Sequence, residues 1–532
     1  MWRRSGVTIT WRGTALLVPA LAGIGLLCGG VSPAAAQSVT GGLNRIGHIV
    51  VLYEENHSFD NFYGNFPGAT GLAQASAAQM TQVNRDGSPM QTLTILNTTT
   101  KKPDDRIPGN LPPVPFKFND YYQPSQKTGD MIHAFYTEQL QIDGGKMDKF
   151  AAWSDSHGQS MGYWDISGQP LYELAKQYTV DDNFFHAAFG GSFLNHFWLI
   201  CACTPVFPNA PADMVATMQP NGTYVKDNPD GTTAEFAVTP DGHAVNTTQP
   251  LTAPYNKGTA QNPGPDDAHR LPLQTMPTIG DELSAKGVSW AWFAGGWNNA
   301  VAGNPDPLYQ YHHQPFNYFK NYASGQARTD HLKDETDFMA ALQSGNVPAV
   351  SFVKPLGPDN EHPGYTDIVT GEQHAMTLIN AIKASPIWND AVIVVTYDEH
   401  GGSFDHVPPP TLQKDGARAD QWGPGVRVPT IVISPFARQH FVDHTQYDTT
   451  SILKLIEERF GVSPLGTRDA AVNDLTGSLT LAGGSAADPL PGTGSGGQAG
   501  AARSATFWQL FAIAALLTAA GGYAVLAARR RA

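Results

Sequence analysis

The chain has 532 residues, 41% hydrophobic and 15% charged, a balance that fits a folded protein with a large core and excludes a disordered polymer. Its 33 Lys+Arg against 47 Asp+Glu leave a net charge of −14, which argues against nucleic acid as a partner because no broad attraction to phosphate backbones is available. A phosphorylated small substrate would need a local cationic site, supplied by a metal ion or by histidines.

The first 36 residues carry Arg3, Arg4 and Arg12, then ALLVPALAGIGLLCGGV, then SPAAA before Gln37. This is the layout of a secretory signal peptide cut after Ala36. The arginine pair loosely resembles a twin-arginine leader without the rest of that pattern, so the export route stays open. A catalytic domain is expected over 37–480. It opens with HIVVLYEEN (48–56), an apolar run that ends in Glu54, Glu55 and Asn56.

Further β-rich runs follow at 288–298, 349–357, 391–402 and 428–437, each ending in a polar or glycine-rich loop. Continuous rather than alternating hydrophobicity predicts strands covered on both faces. Helical patterns fall between and after them at 275–287, 334–345, 372–386 and 449–461, the last stopped by Gly461. The alternation predicts an α/β fold, a central largely parallel sheet covered by helices on both faces. Residues 205–272 are rich in Pro, Gly, Asn and Thr, with the turn signals NPDGT and TPDGH. They read as a small inserted β region that could rim the site. Cys28 falls in the leader, and Cys201 and Cys203 are separated only by Ala202. So short a spacing strains a bridge, so the pair reads as two small core residues.

The C-terminal part has another character. Residues 481–506 form a Gly/Ala/Pro-rich linker. Within it LPGTG (490–494) resembles a signal that sortases cut before attachment to the cell wall. FWQLFAIAALLTAAGGYAVLAA (507–528) is long and apolar enough to span a bilayer, and 529–532 is a basic tail. The expected placement is an exported catalytic body, at the cell surface or in the periplasm, held by this transmembrane anchor or by a sortase-like attachment to the wall.

In a doubly covered α/β sheet the ligand site lies at the carboxyl ends of the strands. Two strands there end in acidic residues, HIVVLYEEN and VVTYDEHGG (394–402). Glu55, Asn56, Asp398 and Glu399 form a hard-oxygen set for a divalent metal ion, which would offset their mutual repulsion. Such ligands suit calcium, magnesium or manganese without excluding zinc or iron. In AAFGGSFLNHFW (187–198), Gly190 and Gly191 allow a tight turn before Ser192, with Asn195 and His196 about one helical turn on. A serine so placed suits a nucleophile activated by a metal. His133, His312, His313, His362, His400 and His406 are further candidates. On an extended backbone only one of His312 and His313 would face the site.

HIVVLYEENHSFDNFYG and VIVVTYDEHGGSFDHVPPP closely resemble the two signature segments of the bacterial phosphoesterase family that holds phospholipases C and AcpA-type acid phosphatases, within the alkaline phosphatase-like superfamily. The resemblance runs from about residue 45 to 465 and implies an alkaline phosphatase-like fold. It implies Glu55, Asn56, Asp398, Glu399 and Ser192 as metal ligands, with Ser192 attacking phosphorus to form a phosphoserine. It further implies that His133, Asn195, His362 and one of His312 or His313 surround the phosphoryl oxygens. A protonated imidazole would deliver the leaving-group proton, which favours an acidic working pH. Family phospholipases C tend to carry threonine in a Gly-Pro-Thr setting, whereas GGSFLNHFW resembles the phosphatase branch, and no lipid-binding β domain is evident after 465. The expected activity is therefore an acid phosphatase. A phospholipase C acting on phosphatidylcholine-type lipids is the alternative, and an inactive surface-binding protein is disfavoured because the serine and every proposed ligand are present.

Overall fold

The structure is a computed structural model that describes residues 42–481 apart from 219–235, 261, 327–328 and 412–418. The expected leader at 1–36, the LPGTG linker and the apolar segment 507–528 lie outside the described residues. Among the described residues no helix is long and apolar enough to cross a membrane.

Eight strands form the central sheet: β1 (His48–Glu54), β2 (Thr179–Asp181), β3 (Trp290–Ala294), β4 (Leu332–Asp334), β5 (Val350–Lys354), β6 (Ala391–Tyr397), β7 (Thr430–Ile433) and β8 (Phe441–Asp443). Their order is β8-β2-β7-β6-β1-β5-β3-β4. Only β7 runs against its neighbours β6 and β2, and the other pairings are parallel. β3, β5, β6 and β7 are buried along their whole length, and β1 at all but His48. That is the two-sided cover their uninterrupted apolar runs predict.

The helices that cover or border the sheet include α1 (Phe135–Ile142), α2 (Ser192–Cys201), α3 (Ile279–Lys286), α4 (Glu335–Ser344), α5 (Ile368–Ala384) and α6 (Thr450–Phe460). Side-chain caps fix several boundaries that periodicity blurs. Thr278 and Asp281 form a capping box on α3, and Asp334 caps α4. α5 begins at Ile368, four residues before the expected start, because Asp367 caps a first turn whose β-branched Ile and Val hide its helical character.

Two local expectations are corrected. Residues 205–272 hold isolated bridges, among them Val206 to His243, Val238 to Ala244 and Pro250 to Leu271, in place of a paired hairpin among the described residues. Cys201 and Cys203 form a disulfide, with their Cα atoms 5.1 Å apart. The bridge is reachable because α2 ends at Cys201 and Ala202 turns left-handed (φ 45°), which folds the next residue back over the helix end.

Candidate active site

Register builds the floor of the site. β1 lies between β6 and β5, with Glu54 opposite Tyr397 and Leu52 opposite Val353. The next residues therefore emerge side by side: Glu55 from β1 and Asp398 from β6, with Lys354 closing β5. All three are fully buried. Lys354 Nζ lies 2.7 Å from Glu55 Oε1 and 3.9 Å from Asp398 Oδ2. Burial would push Glu55 up, but Lys354 and His313 bring its carboxyl well below the usual range. Asp398 moves the other way, raised by burial and by the charges of Glu55 and Glu399.

The two acidic segments interlock behind this floor. Each contains the triplet Ser-Phe-Asp, at 58–60 and 403–405. Ser58 Oγ donates to Phe404 O (2.6 Å) and Asp60 N donates to Asp405 Oδ2 (3.1 Å). Arg427 spans both aspartates: Nε and Nη2 donate to Asp405 (2.9 and 3.1 Å) and Nη2 also to Asp60 Oδ1 (3.2 Å). Nη1 donates to the carbonyls of Thr70 and Asp182, so all five guanidinium N–H groups are used. Gly401 packs against the first segment so closely that a Cβ would stand 2.4 Å from Asn56 O.

Ser192 is the first residue of α2, where the unpaired N–H groups of the opening turn favour an anion. Its Oγ donates to Glu55 Oε2 (3.0 Å) and lies 3.4 Å from Asn56 Oδ1. The turn before it requires glycine at 190, where φ is +88° and a Cβ would stand 2.5 Å from Phe135 N. Asn195, expected beside the phosphoryl group, is placed beneath this turn. Its amide donates to the carbonyls of Ala188, Gly190 and Gly191 and its Oδ1 accepts from Ala188 N. Helical spacing of three residues turns it away from the pocket that Ser192 faces.

That pocket has a volume of about 410 Å³, and its lining includes Glu55, Ser192, His133, His312, His313 and His362. Asn56 Nδ2 lies 3.3 Å from His133 Nε2 and 3.2 Å from His362 Nε2. Each of these rings donates Nδ1–H to a backbone carbonyl, Met131 O (2.5 Å) and Pro363 O (2.7 Å), which leaves Nε2 to accept from Asn56 Nδ2. His312 and His313 sit in a 3-10 turn rather than on an extended backbone. Both therefore reach the pocket, but it is His313 Nε2 that meets Glu55 Oε1, at 2.7 Å. Burial lowers His313 to about 4 and His312 well below its ordinary value, so the site favours the neutral ring in both. His196 stacks on His313 and donates to Ser192 O (2.7 Å).

Asp398 Oδ2 and Glu399 Oε1 are buried without a hydrogen-bond donor. Glu55 and Asp398 share the buried Lys354, Glu399 follows Asp398 directly, and a serine and an amide oxygen adjoin them. This excess of hard, unpaired oxygen fits a divalent cation held by Glu55, Asn56, Ser192, Asp398 and Glu399. Two parts of the site escaped the sequence reading. Lys354 ends a buried strand just before PLG, at the same sheet edge as the acidic tails, and that position was its signal. Glu138 and His186, joined at 2.9 Å beneath the Ser192 turn, lie in no strand-end motif and gave none.

Carboxylates at neighbouring strand ends around a serine that opens a helix, under a histidine-lined pocket, define a phosphoric ester hydrolase on an α/β frame. The sequence matches the model described as "Phosphoesterase family" over residues 46–463, and the chain belongs to that family. Among curated proteins it is 26% identical to "Phospholipase C B" of Mycobacterium tuberculosis, over 83% of this chain and 79% of that protein. It is 24% identical to "Non-hemolytic phospholipase C" of Pseudomonas aeruginosa, over 83% of this chain and 58% of that one. Among solved structures, a protein in the alkaline phosphatase superfamily from Vibrio parahaemolyticus matches with 13% identity and a TM-score of 0.31, covering 60% of this chain and 65% of that one.

Proposed function

We propose that the protein hydrolyses phospholipids as a phospholipase C, transferring the phosphorylated head group to Ser192 and then to water. The observation that carries the reading is Ser192 Oγ, hydrogen-bonded to Glu55 Oε2 at the floor of an open polar pocket. Glu55 Oε2 accepts the hydroxyl proton as Oγ attacks phosphorus, and the bond from phosphorus to the diacylglycerol oxygen breaks. Asn56 Nδ2 donates to Nε2 of His133 and His362 beside Ser192, and the proton that Glu55 takes from Ser192 returns to the leaving oxygen. Water then attacks the phosphoserine and releases the phosphorylated head group. A bound divalent cation would lower the pKa of the serine hydroxyl and offset charge on the phosphoryl oxygens. Asp130 and Tyr365 also line the pocket, a carboxylate and an aromatic face that suit a cationic head group such as phosphocholine. The names of the relatives point the same way. The sequence features at 1–36 and 507–528 fit export and anchoring with the body outside the cell, within reach of lipid.

The second reading is an acid phosphatase, favoured by serine in place of the Gly-Pro-Thr setting. The test measures phosphocholine released from phosphatidylcholine vesicles against phosphate released from p-nitrophenyl phosphate, from acid to alkaline pH, with and without EDTA. Lipid turnover that EDTA abolishes supports the phospholipase, and fast monoester turnover at acid pH with intact lipid overturns it in favour of the phosphatase.

A further inference from the structure

A carboxylate with no route to substrate lies under the nucleophile. Glu138, on α1, is fully buried. Its Oε2 accepts the N–H of Gly190 (2.5 Å), two residues before Ser192. Its Oε1 accepts the N–H of Val426 (3.0 Å) and Nε2–H of His186 (2.9 Å), and lies 3.9 Å from His400 Nδ1. The His186 and His400 rings stack in parallel, with centroids 5.4 Å apart. His400 follows Glu399 directly, and His186 Nδ1 faces Asn195 Oδ1 at 3.4 Å. One side chain thus ties together the turn that aims Ser192, the loop that carries Glu399 and the segment that carries Arg427.

The geometry points to Glu138 as a positioning residue that holds the 186–191 turn in the conformation that aims Ser192 Oγ at the pocket. Gly190 is the part of that turn most in need of a restraint: it has a positive φ and is pressed against the backbone of Phe135, where Glu138's own helix begins. A buried carboxylate is costly unless paired, and here its acceptor capacity is spent on two backbone N–H groups and an imidazole rather than on solvent or substrate. Glu138, His186 and His400 also have the composition of a metal site. Both Glu138 oxygens already accept backbone N–H groups, from Val426 and Gly190, and His186 Nε2–H donates to Oε1 at 2.9 Å, so within the trio Glu138 and His186 form a hydrogen-bonded carboxylate–imidazole pair.

The inference rests on Ser192 being the nucleophile. Its test compares Glu138→Gln with Ser192→Ala in the full chain, each assayed for kcat and KM on phosphatidylcholine vesicles and p-nitrophenyl phosphate and for its urea midpoint. Gln keeps the side-chain shape but can offer one acceptor oxygen where two are used. A misaimed nucleophile lowers kcat on the order of 10²-fold while KM stays within about threefold, since the pocket lining is unchanged. Glu138→Asp, which keeps the charge but shortens the reach, is expected to fall between Gln and wild type. If Glu138→Gln folds too poorly to assay, Glu138→Asp is judged by the same split. Wild-type kcat in the folded variant, or KM rising in step with falling kcat, overturns the positioning role while the nucleophile reading stands. Unchanged activity in Ser192→Ala overturns both.

Discussion

Replacing Arg427 with methionine tests whether the repeated Ser-Phe-Asp triplets hold the site together. Methionine fills much of the same volume but removes all five N–H donors. Asp60 and Asp405 would keep their buried places, with His406 as the one imidazole left beside them, and the Thr70 and Asp182 carbonyls would each lose a donor. Breaking a buried ion pair from one side costs about 3–5 kcal/mol, and a carbonyl left without its partner adds about 1 kcal/mol. The loss at neutral pH is therefore expected to be about 4 kcal/mol or more. Protonation offers relief. Burial already holds the Asp405 carboxyl above its ordinary value even beside the guanidinium; without that cation it rises further, so the stability of the variant is fully present at low pH and is lost as pH rises. For each carboxyl that protonates on folding, the penalty shrinks by about 1.4 kcal/mol per pH unit of acidification. Urea unfolding of both proteins at pH 5 and pH 7 reads both effects. A loss below about 1 kcal/mol at pH 7, or one that does not change with pH, would refute the view that this arginine is the counter-charge for both aspartates. Adding Asp60→Asn and Asp405→Asn to Arg427→Met should recover part of the stability.

Three other outcomes are expected. Ser192→Ala should lower turnover by about 10³-fold or more while leaving the urea midpoint near wild type, since its hydroxyl bonds only within the site. EDTA should stop turnover and lower the urea midpoint, and added Mg²⁺, Mn²⁺ or Ca²⁺ should restore both, because a cation that binds only the folded site stabilises it by mass action. Burial raises the Glu361 carboxyl to about 8. Its neutral form therefore favours the fold below about pH 4.3, and that contribution falls away as pH climbs towards 8. Glu361→Gln should accordingly gain on wild type between pH 5 and pH 8, by up to a few kcal/mol, in paired urea titrations.

What could be read from the sequence was whatever repeats in hydrophobicity or sits at a strand end. The long buried runs at 48–54, 350–354 and 391–397 announced strands covered on both faces, and the polar tails of the first and last marked the floor of the site. β2, β4 and β8, at three residues each, are too short to carry a period. Asn195 was misplaced because proximity to Ser192 in the chain says nothing about which side of α2 a residue occupies. The Cys201–Cys203 bridge was dismissed because spacing alone does not reveal the left-handed turn at Ala202. Lys354 and Glu138 escaped for a shared reason: a buried charge is recognisable only by its partners, and theirs come from segments far away in the chain.

The closure of the two acidic segments over Arg427 has a consequence for synthesis. Asp60 and Asp405 are 345 positions apart, and their shared cation comes a further 22 residues on. A chain still emerging from the ribosome holds one acidic half, then two, before the arginine that spans both aspartates has been made. The strands that flank β1 arrive late for the same reason. Until residue 427 is in place the two triplets lack the cation that pairs them, so a partly made chain holds both acidic halves of the site without their shared counter-charge.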